Sequence, residues 1–513
     1  FFLVLGGGQL GVAASYAFFP FALLMWIQLL KSPSFRKAIG TGVAFGLLVA
    51  LDLRIAYLCM LAFVLYGALV PRTFLSCIKY IAASLAVAAS LHLYWLLPAA
   101  IAGPFPLPQS ATGVGSLSFF SVADFSHALT LLHPNWPENL FGRVYFQQPE
   151  FLLLPLLAFS SLPFIRKREL LFFPLLGLVG VFFGKGVNPP AGGIYEFLFN
   201  YIPGFVMFRD PTKFYLFIAL GYSILIPLTL DRVIRGPLAG LQGVPLRKFA
   251  VGLFILLELF LFRDVFLGKT THSFQFSPLP REYGLLKEVL KADNQFSRVL
   301  WLPEVPHFAY FDDLHPFVDA QHALGVSSPS AIIARLQEPV AREILAERNI
   351  GYLVVPTDEG RRMFLDDYVY DESQRKLIID GLKVSSFMKM GDFSDITVFR
   401  NPYSQDLFTG TGGMPIQWQS TSANRYNIVV PSATKFIDMH LSFDPGWRLR
   451  AGSEEVKPVP STEGWTRFDV TGEMNKGTVY FVPDRAARMG AIISGILLVL
   501  YCVFLSKRRV WKS

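Results

Sequence analysis

Residues 31–72 read KSPSFRKAIGTGVAFGLLVALDLRIAYLCMLAFVLYGALVPR. Two apolar runs, 38–52 and 55–71, meet at the turn Asp52-Leu53-Arg54, and cations close the far end of each: Lys31, Arg36 and Lys37 before the first, Arg72 after the second. Apolar runs whose basic flanks fall on one side are the pattern of a helical hairpin in a bilayer, because short cytoplasmic loops carry the excess of Lys and Arg. A span takes about 20 apolar residues, and fewer inside a bundle. Both runs are short, so this hairpin is expected either to cross incompletely or to have shifted boundaries.

The same reading extends along the chain. Further apolar runs lie at 11–30, 80–100, 149–165, 169–185, 213–230, 249–267 and 488–506, which predicts about nine spanning helices. Alternate loops carry Lys31, Arg36, Lys37, Arg72, Lys79, Arg166, Lys167, Arg168, Arg232, Arg235, Arg247, Lys248, Lys507, Arg508, Arg509 and Lys512. The loops between them carry Arg54, Arg143 and Arg209, with Lys185 and Lys213 at helix edges. That asymmetry predicts a multi-pass protein of the cell (plasma) membrane, with residues 268–486 on the extracytoplasmic side.

Composition agrees. The chain is 52% hydrophobic and 16% charged, below the roughly 25% charge of soluble domains. Its 49 Phe suit lipid-facing and interfacial positions. The formal charge of +8 sits in short loops between apolar runs, which argues for the bilayer as partner and against nucleic acid. Cys59, Cys77 and Cys502 all lie in or beside apolar runs, so the soluble stretch has no disulfide framework or cysteine metal site. The chain starts at Phe1, without Met, close to an apolar run, and is expected to lack an amino-terminal part.

The expected organisation is a multi-span membrane domain (1–267), an α/β layer (268–407), a β-sandwich (408–486), and a terminal helix with a basic tail (487–513). Helical spacing at 281–293, a buried strand at Val299–Leu302, a helix at 331–348 and a strand at Tyr352–Val355 mark the α/β layer. Short strands at 426–430, 436–443, 466–470 and 478–482, separated by Gly and Pro, mark the sandwich.

No P-loop, dinucleotide fingerprint, His-Glu-x-x-His or Gly-x-Ser-x-Gly motif is present, and Gly6-Gly7-Gly8 lacks the context of a phosphate cradle. Charge near membrane depth is more telling, because placing it there is costly. Asp52 and Arg54 either pair and cap their helices or face a charged head group; Asp52 is also a candidate acceptor or metal contact. Arg209 and Lys213, in Phe208-Arg-Asp-Pro-Thr-Lys-Phe214, combine a planar fork with a point charge, which suits a lipid-linked phosphate as well as ordinary bilayer anchoring. Arg54 is a third phosphate candidate.

His133, Asn135, Trp136 and Glu138 lie in the Pro-punctuated segment His133-Pro-Asn-Trp-Pro-Glu-Asn139. An aromatic face beside amide and carboxylate groups suits a sugar, and Asn and Pro turn chemistry explains the same residues without one. Asp312, Asp313, His315, Asp319 and His322 cluster in sequence, but Pro316 interrupts any shared helical face, so no metal ligand is assigned. Trp418, Trp447 and Trp465 could stack on sugars; core packing is the plainer account.

At the Phe208–Phe214 motif, the His133-Pro-Asn-Trp-Pro segment and Asp444-Pro-Gly-Trp447, the chain resembles bacterial GT-C-type membrane glycosyltransferases, nearest to the YfhO-like and mycobacterial arabinofuranosyltransferase-like groups. The resemblance implies a hexosyl- or pentosyltransferase using a polyprenyl-phosphate sugar donor and a glycan or lipid acceptor at the outer face. It also implies a catalytic carboxylate in the first outer loop, which would precede Phe1, so no residue here takes that role. Arg209 and Lys213 match basic residues of the outer-loop motif. No cofactor is specified, and a divalent cation stays open. The rival readings are a lipid-linked glycan transporter and a non-catalytic cell-envelope assembly protein.

Overall fold

The computed structural model describes residues 9–102, 114–131, 149–235, 244–261, 279–306, 308–326, 328–357, 371–384, 387–393, 396–432, 434–470 and 474–506. The quoted hairpin forms helices α2 (Phe35–Leu51) and α3 (Leu53–Leu69), each of 17 residues, with Asp52 between them. They pack on α1 (Leu10–Lys31), whose Trp26 ring stacks on Phe63 with centroids 4.3 Å apart. The expected span at 80–100 is helical but broken: α4 (Ile78–Ser90) and α5 (Leu93–Ala102) meet at 81°.

Residues 149–164 form a chain of short 3₁₀ and α turns, followed by α6 (Phe172–Gly184) and α7 (Tyr215–Arg235). Val244–Leu261 is helical, and Val482–Ser506 forms the terminal helix, α8. Every expected apolar segment is thus helical at least in part. Among the described residues, three helices are long and apolar enough to cross a membrane, or four if the α4–α5 pair is one broken span.

One core cluster joins α1–α3 to Phe172, Tyr195, Phe205, Phe208 and Phe214. At one end of this bundle the basic loops converge. Lys31 pairs with Glu169 at 2.9 Å, the Cys77 thiol lies 3.8 Å from the Leu30 carbonyl, and the Arg36 guanidinium donates to the Leu505 carbonyl.

The first extramembrane unit is a five-stranded sheet of order β2 (Phe317–Asp319), β1 (Arg298–Trp301), β3 (Ile350–Val355), β5 (Ile396–Arg400), β4 (Met388–Phe393). β1 pairs in parallel with β2 and β3, while β5 pairs antiparallel with both of its neighbours, β3 and β4. Alternation sends Leu300, Leu353 and Phe399 to a face covered by helices Pro329–Gln337, Val340–Glu347 and Glu372–Val384. Val299, Trp301, Tyr352 and Val354 go to the face covered by Arg281–Ala292. Every residue of β3 is therefore buried, as expected of a strand covered on both sides.

Two antiparallel sheets follow. One has the order β11 (Glu454–Val456), β10 (Trp447–Ala451), β14 (Lys476–Phe481), β8 (Arg425–Val429), β7 (Gln417–Ser422). The other has the order β12 (Val459–Pro460), β13 (Trp465–Asp469), β9 (Phe436–Ser442), β6 (Phe408–Gly410). Ile428, Leu449 and Val479 of the first share one cluster with Phe408, Ile437, Met439 and Phe468 of the second. Phe296, from just before β1, enters that cluster and ties the two units together. The Arg298 guanidinium spans the same junction, donating to the Arg348 carbonyl at 2.7 Å and the His440 carbonyl at 3.0 Å.

Candidate functional site

The end of the bundle opposite the basic loops gathers four of the sequence candidates, Asp52, Arg54, Arg209 and Lys213. Asp52 ends α2, its N–H donating to the Leu48 carbonyl at 2.9 Å, and begins α3, its carboxylate accepting from the N–H groups of Arg54 at 2.9 Å and Ile55 at 3.3 Å. A side-chain oxygen in this position stabilises a helix by about 1 kcal/mol. The same carboxylate receives the Arg54 guanidinium on two edges, at 3.1 and 2.7 Å. Asp52 and Arg54 thus pair and cap, as one of the two sequence readings has it.

The Phe208–Phe214 motif forms a tight turn at the foot of α7. Asp210 accepts from the Thr212 N–H at 2.9 Å and pairs with the Lys213 ammonium at 2.8 Å, which also reaches the Thr212 hydroxyl at 3.0 Å. Burial acts to raise the Asp210 carboxyl, but the Lys213 charge and the Thr212 hydrogen bonds outweigh it and hold the group below the ordinary carboxylate range. Lys213 is buried, its side chain 4% exposed. Arg209 is exposed, and its guanidinium lies over the Phe120 ring, 4.9 Å from the centroid. Among the described residues no carboxylate engages it. The two cations of the motif therefore differ in setting: Lys213 is buried and paired with Asp210, and Arg209 is exposed.

The two turns form one cluster. Asp210 is near enough to Arg54 to favour its charged form, and the Tyr16 hydroxyl of α1 donates to the Lys213 carbonyl at 3.4 Å. Tyr57 of α3 donates to the Pro203 carbonyl at 3.3 Å and packs edge-on against Phe208 at 5.4 Å. Behind Arg209, Asn188 donates to the carbonyls of Ser121 at 2.6 Å and Ala123 at 2.8 Å, and the Ser121 hydroxyl accepts from the Val187 N–H at 3.1 Å. Gly186, at φ +60°, makes that contact possible: a Cβ there would fall 2.1 Å from the Ser121 hydroxyl. Lys185 is fully buried, donating to the Asn188 carbonyl.

Tyr16, Tyr57, Ser121 and Asn188 are absent from the sequence candidates. Asn188 stands in an Asn-Pro-Pro run, which is a turn signal, whereas the tyrosines sit in apolar helices with nothing local to mark them. His133, Asn135, Trp136 and Glu138 lie outside the described residues.

In the extramembrane units, Asp312 binds His315 at 3.2 Å, and Asp319 caps the helix Ala320–Leu324 and holds His322. Among the described residues no group of three His, Cys, Asp or Glu is placed to hold a metal. Trp447 is buried in the shared core, Trp418 packs on it and donates to Asp406 at 2.9 Å, and the Trp465 ring lies tilted against His440 with centroids 5.7 Å apart. A cleft of about 300 Å³ opens between the two units, lined by Gln295, Arg400, Ser404, Asp406 and Thr409.

No family model and no curated protein sequence matches the chain. Among solved structures it is similar to the cryo-EM structure of the arabinofuranosyltransferase AftD from Mycobacteria, with a TM-score of 0.46, 13% identity, 92% of this chain covered and 47% of that one. A structure of a point mutant of AftD gives a TM-score of 0.37 and 13% identity, covering 92% and 49%. The chain spans about half the length of the structures it matches.

Proposed function

We propose that this chain belongs to a multi-pass membrane glycosyltransferase that moves a sugar from a polyprenyl-phosphate donor to a glycan or lipid acceptor outside the cytoplasm. The observation that carries the reading is the exposed Arg209 guanidinium at the bundle end opposite the basic loops, beside apolar helices that would accommodate a prenyl chain. In this reading Arg209 meets the donor phosphate and offsets the charge that develops as the sugar leaves. Lys213 is a positioning residue: it neutralises Asp210 and fixes the turn from which Arg209 projects. Arg54, held by Asp52, adds positive potential nearby.

Asp52 and Asp210 each face a cation, so neither is assigned as the general base. The cleft at Arg400 and Asp406, with amide, hydroxyl and charged groups, is proposed to receive the acceptor glycan, and the two antiparallel sheets are read as a sandwich that supports it. The nine-span topology belongs to the same proposal, with α2, α3 and α6 crossing inside the bundle. The YfhO-like affiliation rests on Asp444-Pro-Gly-Trp447 preceding the terminal helix.

The carboxylate pairing also favours a second reading, a non-catalytic assembly protein, because it leaves the described cluster without a free acid. The test is sugar transfer by the full-length protein in liposomes, with radiolabelled polyprenyl-phosphate pentose and hexose donors. Arg209→Ala is expected to lower transfer about 100-fold, the scale seen when one donor to a developing oxyanion is removed. Undiminished transfer by Arg209→Ala defeats the assignment. Absence of transfer with every donor, together with loss of a co-purifying protein on deleting 408–484, favours the assembly reading.

A further inference from the structure

The basic end of the bundle holds a groove that sugar transfer leaves unused. It lies between α1, α2 and the end of α8 and encloses about 940 Å³. Phe18, Phe21 and Met25 of α1, Val43 and Leu47 of α2, and Leu505 of α8 wall its apolar length, while Ser34, Arg36 and Lys37 line its end; among the described residues no carboxylate lines it. Gly40 keeps the floor open, because a Cβ there would come within 2.8 Å of the Met25 methyl. From Arg36 to Leu47 the helix rises about 16 Å at 1.5 Å per residue. That is about half of a hydrocarbon core roughly 30 Å thick, so the groove spans one leaflet.

We propose that this groove holds an acyl chain of an anionic glycerophospholipid of the leaflet on the basic side, with its phosphate at Arg36 and Lys37. In a bilayer, an open apolar groove is bathed in lipid chains, so chain occupancy follows from its position. The head-group preference follows from charge, with two cations at the mouth and no acid among the described lining residues. Both cations are folded over helix ends rather than extended into water. Lys37 donates to the Gln28 carbonyl at 3.3 Å and to the Ser32 hydroxyl, and Arg36 donates to the Leu505 carbonyl.

The test is native mass spectrometry of the full chain in detergent with equimolar phosphatidylglycerol and phosphatidylcholine of identical acyl chains. The expected result is about ten-fold preferential retention of phosphatidylglycerol, equivalent to about 1.4 kcal/mol. The preference should vanish in the double variant R36Q/K37Q and persist in Lys31→Gln, whose parent residue pairs with Glu169 outside the groove. Val43→Trp fills the groove without touching charge and should reduce retention of both lipids; it carries the test if R36Q/K37Q does not fold. Equal retention of the two lipids, a preference unaltered in R36Q/K37Q, or unaltered binding in Val43→Trp overturns the proposal. So does displacement of the lipid by equimolar glycerol phosphate, which would show that the acyl chain contributes nothing.

Discussion

At the scale of single residues, burial separates side chains that the sequence presents as equals. Arg209 and Lys213 are four residues apart around a proline, and nothing local says which is spent on structure. Asp52 is different: its capping of α3 and its bond to Arg54 span two or three residues, so the sequence alone anticipates them. The Lys213–Asp210 pair is just as local, three residues apart; what no local pattern encodes is the burial of Lys213. Lys213→Ala should therefore act mainly on stability. It leaves Asp210 beside apolar surroundings without its cation, a change that costs about 3–5 kcal/mol when a buried pair is broken. Arg209→Ala, at an exposed position, should stay within about 0.5 kcal/mol of the parent. Thermal unfolding in detergent checks both. A Lys213→Ala variant that melts with the parent yet transfers no sugar would make Lys213 a direct phosphate ligand instead.

At the scale of elements, the apolar pattern locates helices well and their breaks poorly. Residues 80–100 read as one span, yet the helix turns by 81° between Ser90 and Leu93, with no proline or glycine at the bend. The partner that holds it comes from the far end of the chain. The Ser494 hydroxyl of α8 accepts from the Leu93 N–H at 3.2 Å and donates to the Ser90 carbonyl at 2.9 Å, serving backbone groups that the break frees. His92 reaches the Gly46 carbonyl of α2 at 2.8 Å, which requires its Nε2 to carry the proton. Gly490 lets α8 lie against the bend, since a Cβ there would fall 2.2 Å from the Leu93 carbonyl oxygen. Strands show the same division. β3, with its unbroken apolar run, was legible, whereas β2, β7 and β10–β12, which are short or carry polar and charged residues on exposed positions, were not. Ser494→Ala should cost about 1–3 kcal/mol by leaving an N–H unsatisfied. Gly490→Val should cost more by forcing α8 off the bend. Melting temperatures of the two variants check this, and an unchanged melt for Gly490→Val would mean that α8 does not seat there.

At the scale of the whole molecule, two independent lines assign the ends of the bundle. The first is charge, with Lys31, Arg36 and the loop carrying Glu169 meeting at one end and Asp52, Arg54 and Arg209 lying at the other. The second is mechanical and uses no charge rule. β14 ends at Phe481 and α8 begins at Val482 without a linker, and Asn424 of the sheet unit bonds Asp484 in the first turn of the helix at 3.2 Å. The sheets are therefore fastened to the amino end of α8. Its other end, at Leu505, meets Arg36 on the basic rim. A helix of 25 residues is about 37 Å long, enough to cross a bilayer, so the extramembrane units and the basic rim should lie on opposite sides. Cysteine accessibility tests this in a Cys502→Ser background, since Cys59 and Cys77 are buried. Lys457→Cys, between β11 and β12, should react with a membrane-impermeant maleimide on intact cells. Arg72→Cys, in the short helix Pro71–Ser76 that follows α3, should react only after permeabilisation; both parent positions are exposed. The reverse pattern would invert the protein and remove Arg209 from an extracytoplasmic donor. Labelling of both sites from one side would mean that α8 does not cross, and the proposed division between a sugar-transfer rim and a lipid-binding rim would fail with it.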